Sequence, residues 1–252
     1  MSTSHTGHED ILILGATSGI GRAVAQAYAS RGVGKLILAG RDADALEQDA
    51  VDLRTRYEVQ AEVRRFDAVH PETLEAVLDG LPSLHTAVLC HGMMLSNDAA
   101  RKDPEAHRRM IEVNYTSYTL VLERLADHLH DPEGHQGGVI AVVSSVAGDR
   151  GRGSNYCYGA TKAALTAYAD GLRGRLHGSG VHVVTVKPGP VKTAMTQGLD
   201  GYDKMADPKQ VAERIVKAIE RRKDTVYTPR KWRVIMAVIR AIPEWLFKRL
   251  SI

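Results

Sequence analysis

Tyr158 and Lys162 stand four residues apart in Tyr158-Gly-Ala-Thr-Lys162. On a helix this spacing puts both side chains on one face, about 6 Å apart along the axis. A free phenol titrates near 10 and exchanges protons poorly at neutral pH, but a neighbouring ammonium favours the phenolate and lowers that value. The pair is therefore a candidate acid–base for a reacting oxygen. Tyr156, six residues from Lys162, falls on a different face. Upstream, the apolar run 139–143 leads into Ser144-Ser145. A hydroxyl at the carboxyl end of a parallel strand faces the crevice where ligands bind, and can hydrogen-bond a carbonyl oxygen that gains charge. The alternative is that both serines only satisfy loop amides.

A second cluster is Gly15-Ala16-Thr17-Ser18-Gly19-Ile20-Gly21, between the first apolar run and an alanine-rich stretch. Glycines there permit a tight turn and close backbone approach to a pyrophosphate, which the free N–H groups of a following helix would face. The spacing is GxxxGxG, not the general GxGxxG fingerprint. The second apolar run ends in Ala39-Gly40-Arg41-Asp42. An NAD-type site would carry a carboxylate for the ribose 2′-hydroxyl at this strand end. Gly40 stands there instead, and Arg41 offers a planar fork of donors to a 2′-phosphate. NADP(H) is favoured, with NAD(H) still open because Asp42 could take a ribose hydroxyl.

These residues need strands and helices to position them. Apolar runs at 11–14, 36–39, 61–66, 86–89, 139–143 and 181–186 predict strands. Their near-continuous apolar character suits a parallel sheet covered on both faces. Helices are predicted at 20–30, 43–57, 71–78 (opened by Pro71), 158–176 (closed by Gly178 and Gly180) and 208–221. Residues 103–130 predict one long helix or two, ended near Asp131-Pro132. A short strand is expected at 225–227. The alternation predicts an α/β fold: a doubly wound Rossmann-type parallel sheet in a single domain. Residues 1–10 read as a flexible polar tail, 11–230 as the dinucleotide-binding catalytic domain, and 231–252 as an apolar, basic C-terminal helix packed on it or extending from it.

With 252 residues, 44% of them hydrophobic and 25% charged, the chain can bury a full core. A net charge of +3 argues against nucleic-acid binding. Cys90 and Cys157 fall in neither metal-ligand nor CxxC spacing, so no metal site is expected and a reducing cytoplasm fits. The start of the chain lacks the apolar core of a signal peptide or membrane span. From Arg221 onward nine basic residues face only Asp224 and Glu244, so the rest of the chain is net negative.

In combination, the Gly15 to Gly21 turn, Asn114, Ser145, Tyr158, Lys162 and Pro188-Gly189-Pro-Val191-Lys-Thr193 resemble the short-chain dehydrogenase/reductase family, over residues 11–227. The resemblance implies that Tyr158 is the catalytic acid/base, that Lys162 lowers its pKa and holds the nicotinamide ribose, and that Ser145 orients the carbonyl. Asn114 would hold a water in a proton relay. Thr17, Ser18, Gly19 and Ile20 would bind the cofactor within the glycine turn. Gly92, Pro188, Gly189 and Val191 would line it further along, Thr193 would contact the nicotinamide amide, and Asp67 would lie beside the adenine. Homodimers or homotetramers are usual in such proteins. Two departures stand out: Leu14 replaces the usual threonine before the first glycine, and the usual Asn-Asn-Ala-Gly is Leu89-Cys90-His91-Gly92. His91 is either a second titrating group beside the cofactor or a packing substitution, with packing favoured.

Two features bear on the substrate. Arg150 and Arg152 lie on the glycine-loosened loop between Ser145 and Tyr158, where they suit a phosphate or carboxylate, unless the loop is merely solvated. The tail from Trp232 mixes apolar and basic residues but is too short to span a bilayer. It could lie on a membrane surface, peripheral to the inner membrane, or close the substrate pocket or an oligomer interface. With the motif residues already quoted, these stretches resemble the decaprenylphosphoryl-2-keto-pentose reductases, which implies a polyprenyl-phosphate-linked ketone substrate and a role in cell-wall synthesis. The alternatives are reduction of another ketone (a 3-oxoacyl thioester, steroid or small carbonyl), a non-catalytic NADP(H)-binding scaffold, or a membrane-anchoring adaptor.

Overall fold

Runs rich in Val, Ile, Leu and Ala supply five of the seven strands, and β-branched residues favour this half-buried or fully buried pleat. The computed structural model describes residues 9–70, 72–81, 84–130 and 137–250. In chain order the elements are β1 (Asp10–Leu14), α1 (Gly19–Ala29), β2 (Lys35–Gly40), α2 (Ala43–Tyr57), β3 (Gln60–Arg65), α3 (Thr73–Leu78) and β4 (Leu84–Leu89). Then follow α4 (Asn97–Lys102), α5 (Pro104–Ile111), a π-helical turn (Glu112–Thr116), α6 (Ser117–His128), β5 (Val139–Val143) and α7 (Tyr156–Arg175). β6 (His182–Pro188), α8 (Pro208–Glu220), β7 (Thr225–Thr228), α9 (Lys231–Ala241) and α10 (Glu244–Phe247) complete the chain.

All strand pairs are parallel, in the order β3-β2-β1-β4-β5-β6-β7. Strand order reverses between β1 and β4, which opens a crevice at their carboxyl ends. Alternate strand residues feed opposite faces. Ile11, Ile13 and Val184 join the core under α1 and α8, while Leu12, Leu14 and Ile140 join the core under α6 and α7. The predicted doubly wound sheet is therefore the observed one.

Several boundaries differ from the sequence reading. β1 begins at Asp10, inside the stretch read as a tail, because Asp10 pairs with Lys35 on β2. Pro71 and the Asp131-Pro132 stop lie outside the described residues. The helical run expected over 103–130 begins where the Asp103 side chain caps α5 by accepting from the Ala106 N–H, and reaches His128. It also contains the π turn. The C-terminal segment is two helices divided at Ile242-Pro243, and Met236, Ile239 and Phe247 pack them against Val146 in a small core of their own.

Candidate active site

The carboxyl ends of β1, β4, β5 and β6 frame a cavity of about 480 Å³. On one side the glycine turn runs into α1, and Ser18 caps that helix by accepting from the Gly21 N–H at 3.0 Å. Gly15 has φ of 77°, and a Cβ there would come within 2.5 Å of the His91 nitrogen. A Cβ on Gly19 would come within 2.6 Å of Thr193 Cγ2, so the loop after β6 closes on this turn. Thr17, Ser18, Gly19, Ile20, Gly92, Pro188, Gly189, Val191 and Thr193 all line the cavity. Gly15 and Gly21 are not among its lining residues.

Arg41 and Asp67 lie beyond this enclosed part, just past the ends of β2 and β3. Arg41 is exposed, and no hydrogen bond or ion pair engages it among the described residues. Asp42 accepts from the Ala45 N–H at 3.0 Å as the cap of α2, so its side chain is already in use. Gly40 is buried, and a Cβ there would sit at ordinary contact distance from Leu46 and Thr17.

At the other end of the cavity, the first turns of α7 bring Tyr158 and Lys162 against Ser145. The Tyr158 hydroxyl is hydrogen-bonded to the Ser145 side chain, which also accepts from the Ala147 N–H at 3.1 Å. Burial pushes the Tyr158 phenol up to about 12, and the Ser145 bond only partly opposes this. Lys162 is buried and brought down to about 8 by that burial; its Nζ donates to the Val143 carbonyl at 3.1 Å and lies 5.9 Å from the Tyr158 ring centroid. Desolvation therefore dominates at Tyr158, and the lowering expected from Lys162 is not among the causes that act on it. Ser144 also lines the cavity and ties β5 to α7 by donating to the Lys162 carbonyl at 3.0 Å.

Asn114 sits in the π turn, fully buried. Its Oδ1 accepts from the Met93 N–H at 2.8 Å, and its amide donates to the Met93 carbonyl at 2.8 Å and to Thr161 Oγ1 at 3.2 Å. The side chain thus fixes the loop after β4. His91 is the packing substitution: it stacks on Tyr118 with centroids 4.0 Å apart, and its Nε2 lies 3.0 Å from Ser117 Oγ. Burial holds it down at about 3, so it stays neutral at ordinary pH.

The loop arginines have separate fates. Arg150 does not face the cavity, contrary to the sequence expectation. Its Nη1 donates to the carbonyls of Ile239 and Ile242, each at 2.6 Å, and its Nη2 pairs with Glu244 at 2.9 Å. Helix ends leave carbonyls without partners, and an arginine fork satisfies several at once. Arg152 does line the cavity. Its Nε is buried without a hydrogen-bond partner among the described residues, as is the Oδ1 of Asn155 beside it. Burial lowers the Arg152 pKa, with Asp149 opposing.

Sequence reasoning did not place Met94, Met195, Leu199 or Met205 in the apolar wall. Of the roles open to the tail, Trp232 takes closure of the pocket: its indole rests on Gly189, where any Cβ would collide with it. Gly189, set between Pro188 and Pro190, was a signal of close approach, but it did not say what approaches. Asp149 was likewise unforeseen as an anchor: its buried carboxylate takes Lys187 Nζ at 2.6 Å and the Tyr227 hydroxyl at 2.8 Å.

Residues 9–202 match the short chain dehydrogenase family. An uncharacterized oxidoreductase of Streptomyces coelicolor is 35% identical over 249 residues, covering 96% of each chain. A serine 3-dehydrogenase of Rhizobium radiobacter is 34% identical, over 74% of this chain and 73% of its own. Among solved structures, a short-chain dehydrogenase from Sphingobium yanoikuyae in complex with NADPH superposes with a TM-score of 0.77 at 26% identity, covering 94% of this chain and 97% of its own. One from Burkholderia cenocepacia in complex with NADP reaches 0.83 at 22% identity, covering 98% and 100%. The sheet, the Ser145–Tyr158–Lys162 cluster and these relatives make the chain an oxidoreductase of the short-chain dehydrogenase family.

Proposed function

We propose that the chain reduces a ketone to an alcohol with NADPH, and that its ketone carries a phosphate or carboxylate on a larger apolar body. A polyprenyl-phosphate-linked 2-ketopentose, the substrate implied by the sequence resemblance, has this character. The observation that carries the reading is Arg152: a cation with a buried N–H, unpartnered among the described residues, lining a cavity whose apolar wall includes Met94, Met195, Leu199 and Trp232. A buried donor without a partner is costly, and an anionic oxygen would satisfy it.

The residues present fit the cofactor. The glycines leave a cradle that side chains would fill, and the first turn of α1 presents its N–H groups there. Thr17 to Ile20 would hold the pyrophosphate, Thr193 the nicotinamide amide, and Lys162 the adjoining ribose. Arg41, exposed and unengaged among the described residues just past the end of β2, would take the 2′-phosphate, which supports NADP(H) over NAD(H). The NADPH and NADP complexes of the two structural neighbours support the same choice. When bound, the cofactor supplies the hydride.

The chain's own groups handle the oxygen. Tyr158 enters the reaction protonated, because burial holds its phenol up. It donates that proton to the ketone oxygen as charge develops there, while the Ser145 hydroxyl hydrogen-bonds the same oxygen. Lys162 contributes a nearby positive charge, and Asn114 is a positioning residue that keeps Met93 and α7 in register.

The test is NADPH oxidation with a detergent-dispersed polyprenyl-phosphate 2-ketopentose and with a neutral ketone of similar size. Wild type is expected to turn over the anionic ketone with the lower KM, and Arg152→Gln to lose that preference by about tenfold or more while keeping its rate on the neutral one. Equal KM values for both ketones in wild type would overturn the anionic reading.

A further inference from the structure

Among the described residues, twelve large hydrophobic side chains are exposed, and six of them fall in the last seventeen positions: Val234, Ile235, Val238, Trp245, Leu246 and Leu250. Val234 and Val238 are 67% and 60% exposed, and Trp245 is 62% exposed. Val234 and Val238 are one helical turn apart, so they form one outward ridge on α9. The opposite side of that helix is fully used. Met236 and Ile239 are buried against Val146, and Trp232 reaches into the cavity.

Charge surrounds the ridge with one sign. Arg230, Lys231, Arg233, Arg240, Lys248 and Arg249 are all exposed, and none has an ion-pair partner among the described residues. The single acid in this stretch, Glu244, is already paired with Arg150 at 2.9 Å. A second copy of the chain would bring like charge against like charge here. An anionic lipid surface complements both properties: it accepts the apolar ridge and the indole of Trp245 at headgroup depth, and it attracts the unpaired cations.

We infer that α9 and α10 dock the protein on an anionic lipid surface, lying flat with Val234, Val238 and Trp245 inserted. No described helix is long and apolar enough to cross a membrane, which agrees with surface attachment through this short amphipathic element. The Arg150 clamp makes the attachment rigid: it fixes both helices to the loop that also carries Arg152. The lipid-facing side of α9 and the cavity-facing Trp232 then lie on opposite sides of one helix. The inference stands apart from the identity of the substrate.

The experiment is co-sedimentation of the full chain with extruded vesicles, either phosphatidylcholine alone or phosphatidylcholine and phosphatidylglycerol at about three to one. No substrate is present. Strong binding is expected only to the anionic vesicles, weakened by high salt. Val234→Asp/Val238→Asp and Arg233→Gln/Lys248→Gln/Arg249→Gln are each expected to lower the partition coefficient by about tenfold or more. Unchanged melting temperature and NADPH binding in both variants would establish that the fold is intact. Wild-type protein left in the supernatant, or equal binding to neutral and anionic vesicles, would overturn the inference. So would a stable wild-type oligomer that Val234→Asp/Val238→Asp dissociates, since the ridge would then be an interface between copies.

Discussion

Arg150 holds its guanidinium 3.7 Å from the centre of the Phe247 ring, stacking a loop beside the cavity onto the last helix of the chain. The side chain is mostly buried and also satisfies the end of α9. Cation–π contact in a desolvated setting and hydrogen bonds from a charged donor each contribute on the order of 1–2 kcal/mol. Arg150→Ala is expected to destabilise the fold by about 2 kcal/mol, and to expose residues 231–250 to limited proteolysis before the rest unfolds. Arg150→Lys cannot reproduce the fork or the stacking and should recover little. Urea unfolding alongside timed proteolysis would check both statements, and a tail equally resistant in the alanine variant would contradict them.

Tyr158→Phe removes the one proton donor placed at the ketone oxygen. A drop in kcat of about 10²–10⁴-fold is expected, with NADPH affinity nearly unchanged. Fluorescence titration of NADPH and single-turnover kinetics separate the two quantities.

Lys162 titrates near 8 in the free protein because its burial disfavours the ammonium. In the direction of ketone reduction, kcat/KM should be flat between about pH 6 and 7 and fall above about 8, as the positive charge beside Tyr158 is lost. Lys162→Arg stays charged throughout, so whatever activity it retains should lack that fall. A wild-type profile that rises through pH 8 would give the lysine a different role.

His91 is lowered from its ordinary value of 6.5 to about 3 by burial. The unfolded chain therefore binds a proton that the folded chain refuses. Stability from this group is present in full above about 6.5 and declines as pH falls toward 3, by at most about 1.4 kcal/mol per pH unit. A non-titrating His91→Asn variant should show a shallower loss of stability between pH 6 and 4. Denaturant midpoints across that range would reveal it.

Gly189 and Trp232 are coupled by contact. Gly189→Ala should displace the indole and raise KM for the ketone, whereas in a Trp232→Ala background the same change should cost much less. The double-mutant cycle measures this interaction directly.

Much of this was legible in the sequence because the signals were local. The run at Val139–Val143 and the helix at Ala43–Tyr57 have the bounds their periodicity predicts. The four-residue step from Tyr158 to Lys162 needs only a helix to become a site. What escaped was set by contacts between distant parts of the chain. Arg150 and Arg152 are alike in type and share one loop, yet one turns to helix carbonyls and the other to the cavity, a choice of direction that composition does not encode. The π turn at Asn114 is invisible to a helical period, because its single wide turn leaves the apolar pattern on both sides intact. The tail's split character is the same problem: a Trp232 that reads as surface-seeking proves to be a wall of the cleft, while Val234, two residues on, stays outside.

The order in which the cavity is built along the chain has a consequence for how such a protein changes over time. The glycine turn, Ser145, Tyr158 and Lys162 are all complete before β6 ends, whereas Met205, Trp232 and the partners of Arg150 arrive only afterward. The tools for moving a proton are thus carried on one length of chain, with Arg152 among them, while the rest of the surface that chooses what receives the proton follows on a later one. Drift or recombination in the later length can exchange one clientele for another while the earlier length keeps its trade.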